Sequence, residues 1–545
     1  MKWTTSTFRV YLAAALCLLA LTLLAYNVVD PLNMDTVDNW YVIFGGLPNV
    51  MLSLGQYSAR PLALGGSFLA HTLMPNTTEG IYLVHVISFF IASFCIFYII
   101  QKLFIGYTWF AFLTAAIYLF YIPLNSGQIL AIRHVVYSWS VALALLAVAL
   151  FVAQAYQTKI AAWLLLIGAC LFGSLAILSY ESTFIPLATG PVIVWLARRK
   201  FSRQFVAASA FWYLTIVIAF AQFAIPYLQG SATTAYQQQY TRVTSLAALT
   251  KNANIFYEIS FPLDTMAASA EALVNSNYLN TALMIGVLAA ACLAIFWRLG
   301  VSEARPPTLK ALTGFLLGGL VLNGVYGFVY IYVNLLDIRS LFFAAPAQAL
   351  AVSSCAGVVA WILYRALNVR LHLSIIALSI PFFALASFWF YNHQAGNHYP
   401  DFGQRAAFFE QLVSLIPDVT PGTLIVYECN DPQKSSIYHP KREDTYAARY
   451  LYHDRANWRA VGYITSVSLN DDGISVQTGY EDVLGSAFPT SYTYDQLILV
   501  SCTDHGLKIE NSLPAALASN DRLYNPYARI VPGYINQADA TFLAR

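Results

Sequence analysis

The chain has 545 residues, of which 58% are hydrophobic and 10% are charged, and its formal net charge is +2. Soluble domains carry about 25% charged residues, so this composition excludes one large water-soluble fold and indicates that lipid is the main solvent. A net charge near zero and the lack of a Lys/Arg-rich run give no indication of a nucleic-acid partner.

The composition changes near Asn392. Residues 1–395 contain long apolar runs separated by short polar stretches, whereas residues 396–545 have the mixed charge of an ordinary globular protein. We therefore predict a transmembrane domain over residues 1–395 and a second domain over residues 396–545.

Eleven stretches of the first domain are candidates to span a bilayer, which takes about 20 mostly apolar residues. They lie at about 10–29, 80–101, 107–124, 134–153, 160–179, 183–197, 205–226, 280–297, 311–333, 341–364 and 373–391. The first follows Lys2 and Arg9 and is longer than the apolar core of a typical signal peptide, so we interpret it as an anchor.

The basic residues predict the orientation, because Lys and Arg accumulate in cytoplasmic loops. With the N-terminus inside, thirteen basic residues lie on the inner side: Lys2, Arg9, Lys102, Lys159, Arg198, Arg199, Lys200, Arg203, Arg298, Arg305, Lys310, Arg365 and Arg370. Five lie on the outer side: Arg60, Arg133, Arg242, Lys251 and Arg339. An odd number of spans then places the second domain outside the cytoplasm, with the chain in the plasma (inner) membrane.

The acidic residues are concentrated on the same outer side. Before residue 395 only Glu303 is predicted to be inside, and no acid lies at mid-span, which disfavours a charge-coupled transporter. The outer stretches 30–79 and 227–279 are also the long ones, and long connections are often functional. Within the first, residues 39–55 and 60–74 are apolar but too short to span, so we predict helices in the membrane interface.

The second domain has the pattern of a small α/β fold. Residues 405–416 have helical periodicity, 423–427 and 496–500 are short apolar strands, and 445–452 is a further predicted helix. Cys429 and Cys502 follow the two strands and could form a disulfide or remain as thiols. Because no catalytic or metal-binding motif occurs here, a binding or positioning role is favoured over independent catalysis.

The candidate chemistry lies in the outer segments of the first domain. Asp35 and Asp38 (DTVD) share a face if they lie on a helix, and such a pair at a lipid–water boundary could have a raised pKa or hold a divalent cation. The alternative is a solvated helix start with acids at its positive end. The other candidates are Arg60, Arg133 with His134, Tyr180 with Glu181, and Asp337 with Arg339. Each could instead be a snorkelling or paired interfacial charge, but together they would form one outer site suited to a phosphate.

These segments resemble a known group. An N-in domain of about eleven spans, an acidic first outer loop with interfacial helices, and an outer C-terminal domain resemble the GT-C glycosyltransferases. The segments DTVDNWY, YSARPLA, LSYES and DIRSLFFAAP are similar to those of bacterial membrane proteins of this type. The resemblance implies a polytopic α-helical membrane protein with a small C-terminal extracytoplasmic α/β domain.

The resemblance also implies an activity. A first-loop carboxylate, Asp38 in first place and Asp35 in second, would act as general base on an acceptor hydroxyl, with inversion at the sugar. The donor would be a lipid-linked sugar on polyprenyl phosphate, held by Arg60, Arg133, His134, Tyr180, Glu181 and Arg339, and the acceptor a glycan, lipid or protein. In many members of this group the two acids are adjacent or separated by one residue, whereas two residues separate Asp35 from Asp38. The identity of the base and any requirement for Mg²⁺ or Mn²⁺ therefore stay open. The alternatives are a non-catalytic assembly or receptor protein whose outer domain binds a partner, and a lipid or glycan transporter.

Overall fold

The computed structural model describes residues 5–28, 60–74, 79–121, 131–199, 202–228, 245–261, parts of 287–296, 308–332 and 338–367. Farther along, it describes residues 408, 410–428, 452, 456–460, 467–470, 473–476, 491–503, 506–514 and 519–532. The chain divides into two compact units, one mainly helical and one that contains the strands. The predicted domain boundary at 395/396 lies outside the described residues and stays a prediction.

The described part of residues 5–367 is helical. The helices are α1 (Thr5–Val28), α2 (Gly65–Leu73), α3 (Glu79–Leu103), α4 (Thr108–Leu119), α5 (Ala131–Gln154), α6 (Lys159–Ser179), α7 (Phe184–Arg198), α8 (Arg203–Leu228), α9 (Leu246–Ser260), α10 (Leu309–Tyr332) and α11 (Ile338–Leu367). Three of them begin after a hydroxyl side chain that accepts a first-turn N–H: Ser202, Ser245 and Thr308. Such caps satisfy donors that the first turn cannot pair.

Seven helices within the described residues are long and apolar enough to cross a membrane: α1, α3, α5, α6, α8, α10 and α11. The predicted stretches at 107–124 and 183–197 are helical too, but α4 has 12 residues and α7 has 15. At 1.5 Å per residue they reach about 18 and 22 Å, against about 30 Å of hydrocarbon. The stretch at 280–297 is described in part and 373–391 lies outside. The count of eleven spans therefore stays a prediction.

The short helix α4 lies at the centre of the helical unit. All twelve of its residues are buried, in an apolar cluster that also contains parts of α1, α3, α5, α10 and α11. Thr114 of α4 shares a 2.8 Å hydrogen bond with Ser353 of α11, and Ser93 of α3 donates to the Ala115 carbonyl over 3.0 Å. Burial of this kind explains why α4 is apolar on every side.

Helix α9, from the second long outer stretch, packs along α10. Asn252 Nδ2 donates to the Ile331 carbonyl over 3.0 Å, and the Tyr257 hydroxyl donates to the Leu320 carbonyl over 2.8 Å. The two helices are therefore antiparallel. A methyl group at Gly327 would overlap the Phe256 ring, so a glycine at this position permits the close approach.

A buried polar group joins α9 to the spans. Gln348 Nε2 lies 3.0 Å from both Ser260 Oγ and Asn323 Oδ1, and both amide residues are fully buried. The apolar runs of the sequence predict the spans but do not predict this group of buried polar side chains. Buried polar side chains are normally paired, and here the pairing links three helices.

The second unit contains two sheets. In the first, β1 (Thr423–Glu428) pairs in parallel with β2 (Ala456–Ala460) and with β6 (Leu497–Thr503), and β7 (Gly506–Ile509) pairs with β6 in the antiparallel sense. The strand order is β2-β1-β6-β7. The second sheet is antiparallel and consists of β3 (Val467–Asn470), β4 (Gly473–Val476) and β5 (Ser491–Tyr492).

The two strands expected at 423–427 and 496–500 are β1 and β6, and they are parallel neighbours. Residues 410–415 are helical, within the helix predicted over 405–416. Nearly all of the helix predicted at 445–452 lies outside the described residues, as does Cys429. The register pairs Glu428 with Ser501, but the Cys502 side chain is not described, so the disulfide also stays open. Of the two predicted interfacial helices, 60–74 contains α2, and 39–55 lies outside.

Candidate functional site

A tight turn before α2 is fixed to the end of α6. The Leu62 N–H donates to the Leu178 carbonyl over 3.1 Å, and Ala63 N–H donates back to the Arg60 carbonyl over 3.0 Å. Gly66 at the start of α2 packs against Trp139 of α5, where a methyl group would lie 3.4 Å from the indole. The turn therefore places Arg60 beside the residues that follow α6.

Arg60 and Glu181 form a bidentate ion pair. Nε lies 2.6 Å from Oε2 and Nη2 lies 2.5 Å from Oε1, across 121 residues of sequence. Glu181 begins the single 3₁₀ turn, Glu181–Thr183, between α6 and α7. The side chains are 28% and 15% exposed, so the pair is partly withdrawn from solvent. Paired forks of this kind are stronger and more directional than single contacts.

Tyr180 lies under the guanidinium and completes the cluster. The Arg60 Cζ atom is 4.3 Å from the ring centroid, within the range of a cation–π contact. Burial alone would lower the pKa of Arg60, but the Glu181 carboxylate and Tyr180 outweigh it and raise the pKa well above its ordinary value. Burial, with Tyr137 nearby, likewise raises the pKa of Tyr180. Arg60 therefore stays charged and Tyr180 stays neutral at any physiological pH.

Aromatic rings from three helices support Tyr180. It stacks on Phe343 of α11 with ring centroids 5.1 Å apart, and Tyr137 of α5 meets it edge-on at 4.9 Å. Tyr330 of α10 in turn stacks on Phe343, with ring centroids 6.2 Å apart. These contacts fix the ring and, through it, the guanidinium.

An apolar cavity of about 130 Å³ lies between α3, α5, α7, α10 and α11. Thr183, which ends the 3₁₀ turn that Glu181 begins, and Phe343 are among its lining residues. Farther along it is lined by Ile99, Leu145, Phe315 and Leu350. The Arg60–Glu181–Tyr180 cluster is therefore connected to this apolar space through Thr183 and through Phe343, on which Tyr180 stacks, and not at Arg60 itself.

The structure brings together three of the predicted site residues: Arg60, Tyr180 and Glu181. Arg133 and His134 lie in the first turn of α5 and Arg339 in the first turn of α11, but their side chains are not described. Asp35 and Asp38, as well as Asp337, lie outside the described residues. Tyr137, Tyr330 and Phe343 were not predicted.

No group of three or more His, Cys, Asp or Glu residues that could hold a metal ion occurs within the described ranges. The first-loop carboxylates lie outside those ranges, so a divalent cation at Asp35 and Asp38 stays a prediction.

No family model and no curated protein matches the chain. Among solved structures it is similar to the archaeal oligosaccharyltransferase AglB from Archaeoglobus fulgidus, in complex with an inhibitory peptide and a dolichol-phosphate, with 12% identity and a TM-score of 0.37. It is also similar to the Archaeoglobus fulgidus oligosaccharyltransferase in the apo form, with 14% identity and a TM-score of 0.34. The matches cover 81% and 72% of this chain, and the chain spans 64% and 57% of the two neighbours. Similarity at this level does not show an activity for this chain.

Proposed function

We propose that the chain is a membrane glycosyltransferase of the GT-C type. It moves a sugar from a polyprenyl-phosphate carrier to a glycan, lipid or protein acceptor on the extracytoplasmic side. Its described part is the turn at Arg60 with the residues between α6 and α7, and the sequence of the first outer loop provides the candidate base.

The observation that carries this proposal is a fixed cation whose supporting residues lead to an apolar cavity, through Thr183 and Phe343. A polyprenyl-phosphate sugar joins an anionic phosphate to an apolar chain, so its site needs a cation next to an apolar surface. Arg60 uses Nε and Nη2 for Glu181, and we propose that Nη1, which has no hydrogen-bond partner among the described residues, binds a phosphate oxygen. The cavity that Thr183 and Phe343 line would take the first part of the carrier chain.

Glu181 has a positioning role in this proposal. Both of its carboxylate oxygens accept from Arg60, which makes it a poor candidate for the base. It instead holds the guanidinium in one orientation, so that little conformational freedom is lost when the phosphate binds.

The base is Asp38, with Asp35 as the second choice. It removes the proton from the acceptor hydroxyl, whose oxygen then attacks the anomeric carbon from the face opposite the phosphate. The bond from that carbon to the phosphate oxygen breaks, and its electron pair leaves with the polyprenyl phosphate. Arg60, with Arg133, His134 and Arg339 as further candidates, stabilises the charge that grows on the leaving phosphate. A Mg²⁺ or Mn²⁺ ion on the first-loop acids would stabilise the same charge.

The test is sugar transfer in membranes supplied with radiolabelled polyprenyl-phosphate sugars. Wild type is compared with Asp38→Asn, Asp35→Asn and Arg60→Gln at matched expression, and with Glu258→Gln as a control, because Glu258 is an exposed acid on α9. Loss of transfer in one Asp variant and in Arg60→Gln, with the control active, supports the proposal and names the base.

Unchanged transfer in both Asp variants would overturn the assignment of the base. No transfer by the wild type from any donor would overturn the enzyme proposal and favour a binding role for the second domain.

A further inference from the structure

Two cations from different helices converge on one ring at the face opposite the proposed site. Tyr156 lies in the connection between α5 and α6. Lys102 Nζ, near the end of α3, is 5.5 Å from its ring centroid, and Arg198 Cζ, at the end of α7, is 5.0 Å from it. Arg198 Nη1 also donates to the Ala155 carbonyl, which fixes the guanidinium to the same connection.

The surroundings of this pair are strongly basic. Lys159, Arg199 and Arg203 are exposed on the same face. Of the ten acids before residue 395, only Glu303 is predicted on this side. Lys102 and Arg198 are each only partly exposed, so their charges are less screened than those of free surface residues.

The backbone at this face is also unusual. Lys159 and Arg199 have φ values of 55° and 49°, and no other non-glycine residue within the described ranges has a positive φ. A non-glycine residue in this region costs roughly 1–2 kcal/mol. Both residues are basic: Lys159 lies three residues after Tyr156, and Arg199 directly follows Arg198, so two charged side chains occupy positions where glycine would be less strained.

Exposed apolar side chains occur near the cluster on α7 and on α6, the helix that follows Tyr156. Ile160 and Trp163 of α6 are 75% and 53% exposed, and Leu196 of α7 is 58% exposed. A soluble anion would gain nothing from these side chains, whereas the acyl chains of a lipid would cover them.

We propose that Lys102, Tyr156 and Arg198 form a binding site for the headgroup of an anionic phospholipid of the adjacent leaflet. The guanidinium pairs with the phosphate, the Lys102 ammonium supplies a second charge, and Tyr156 holds the two cations together. This site is separate from the proposed catalytic one and does not depend on glycosyl transfer.

The test uses native mass spectrometry of the full-length protein in neutral detergent, titrated with phosphatidylglycerol or with phosphatidylcholine. Wild type is expected to prefer phosphatidylglycerol. Lys102→Gln/Arg198→Gln is expected to bind it roughly thirtyfold more weakly, since each basic residue near an anionic headgroup contributes about fivefold. Arg9→Gln, which removes an exposed cation of α1 predicted on the same side, is the matched control and should bind as wild type does.

Two further variants separate binding from folding. Lys102→Arg/Arg198→Lys keeps both charges and should keep the preference. Tyr156→Leu keeps the cations but removes the ring that holds them, and should weaken binding.

Three results would overturn the proposal: equal binding of the two lipids by wild type, unchanged binding by the double Gln variant, or a loss in Arg9→Gln as large as in that variant. If soluble glycerol phosphate at the same concentration displaces the lipid, the ligand of this site is a small anion and the lipid proposal is wrong.

Discussion

Arg60 is held at its site by three different interactions. The backbone turn to Leu178 sets its position, the Glu181 fork sets the plane of the guanidinium, and the Tyr180 ring supports that plane from below. A side chain fixed in this way loses little freedom when it binds an anion. The same arrangement makes the pair energetically coupled, because removing one partner leaves the other charge partly buried and unpaired.

The coupling of Arg60 and Glu181 is measurable as a double-mutant cycle. We expect Glu181→Gln and Arg60→Gln each to lower the free energy of unfolding by about 1–2 kcal/mol, because each leaves one partly buried charged group without its hydrogen bonds. The double variant should lose less than the sum, with a coupling of about 1 kcal/mol. The measurement is unfolding of the purified protein in detergent.

The control is the same cycle on an exposed pair, with Lys508→Gln, Glu510→Gln and the double variant. Lys508 lies 3.0 Å from Glu510, but the side chains are 54% and 30% exposed, and exposed pairs contribute about 0–1 kcal/mol. An Arg60–Glu181 coupling no larger than that of the exposed pair would show that the fork does not stabilise the site.

Individual site residues could be predicted from the sequence only where a polar residue interrupts or ends an apolar run. Arg60, Tyr180 and Glu181 stand out from the sequence because they are polar groups at the ends of apolar runs. Their pairing could not be predicted, because 121 residues separate Arg60 from Glu181. Tyr137, Tyr330 and Phe343 carry no signal at all in a chain with 36 Tyr and 35 Phe. An aromatic residue becomes informative only when its partner across the bundle is known.

The helices of the bundle are held together by close approach as well as by apolar burial. Helices α10 and α11 approach each other closely at Gly319, where a methyl group would lie 2.8 Å from the Ala351 nitrogen and 3.0 Å from the Ala347 carbonyl oxygen. Those neighbours are backbone atoms and cannot rotate away. Small residues at such crossings are the usual means by which membrane helices pack.

Gly319→Ala should therefore destabilise the protein, by about 1–3 kcal/mol, because the two helix backbones must separate. The neighbouring Gly318 has nothing within 4 Å of the same added methyl group. Gly318→Ala should be neutral or slightly stabilising, since alanine is the better helix former. Thermal unfolding in detergent compares the two. Equal midpoints would show that α10 and α11 do not cross at Gly319.

Elements were predictable where one physical rule decides them. Long apolar runs predict helices at the described spans, because lipid leaves the backbone no other partner. The same rule overestimates the length of α4, since an apolar run continues past Leu119 while the helix ends there. Helix α9 and the strands β2, β3, β4, β5 and β7 were not predicted. Their sequences are short or mixed in polarity, and pairing partners rather than local pattern determine them.

The whole chain is electrically asymmetric across the predicted membrane. Thirteen basic residues of the first domain lie on one predicted side and five on the other, and nine of its ten acids lie on the side with fewer cations. Both proposals depend on this asymmetry: the sugar-transfer site uses the acidic outer face, and the lipid site uses the basic inner face. Orientation is therefore the property of the whole molecule that most needs measurement.

We expect the N-terminus to be cytoplasmic and the second domain to be outside. Alkaline phosphatase, which is active only outside the cytoplasm, should be active when fused after Arg545 and inactive when fused after Arg203, the first residue of α8. Green fluorescent protein at the same two positions should give the opposite result. If the phosphatase were inactive at both Arg203 and Arg545, the N-terminus and the C-terminus would both be cytoplasmic. The number of spans would then be even. Activity at Arg203 would reverse the whole assignment, and would move the Arg60 cluster to the cytoplasmic face, where an extracytoplasmic acceptor could not reach it.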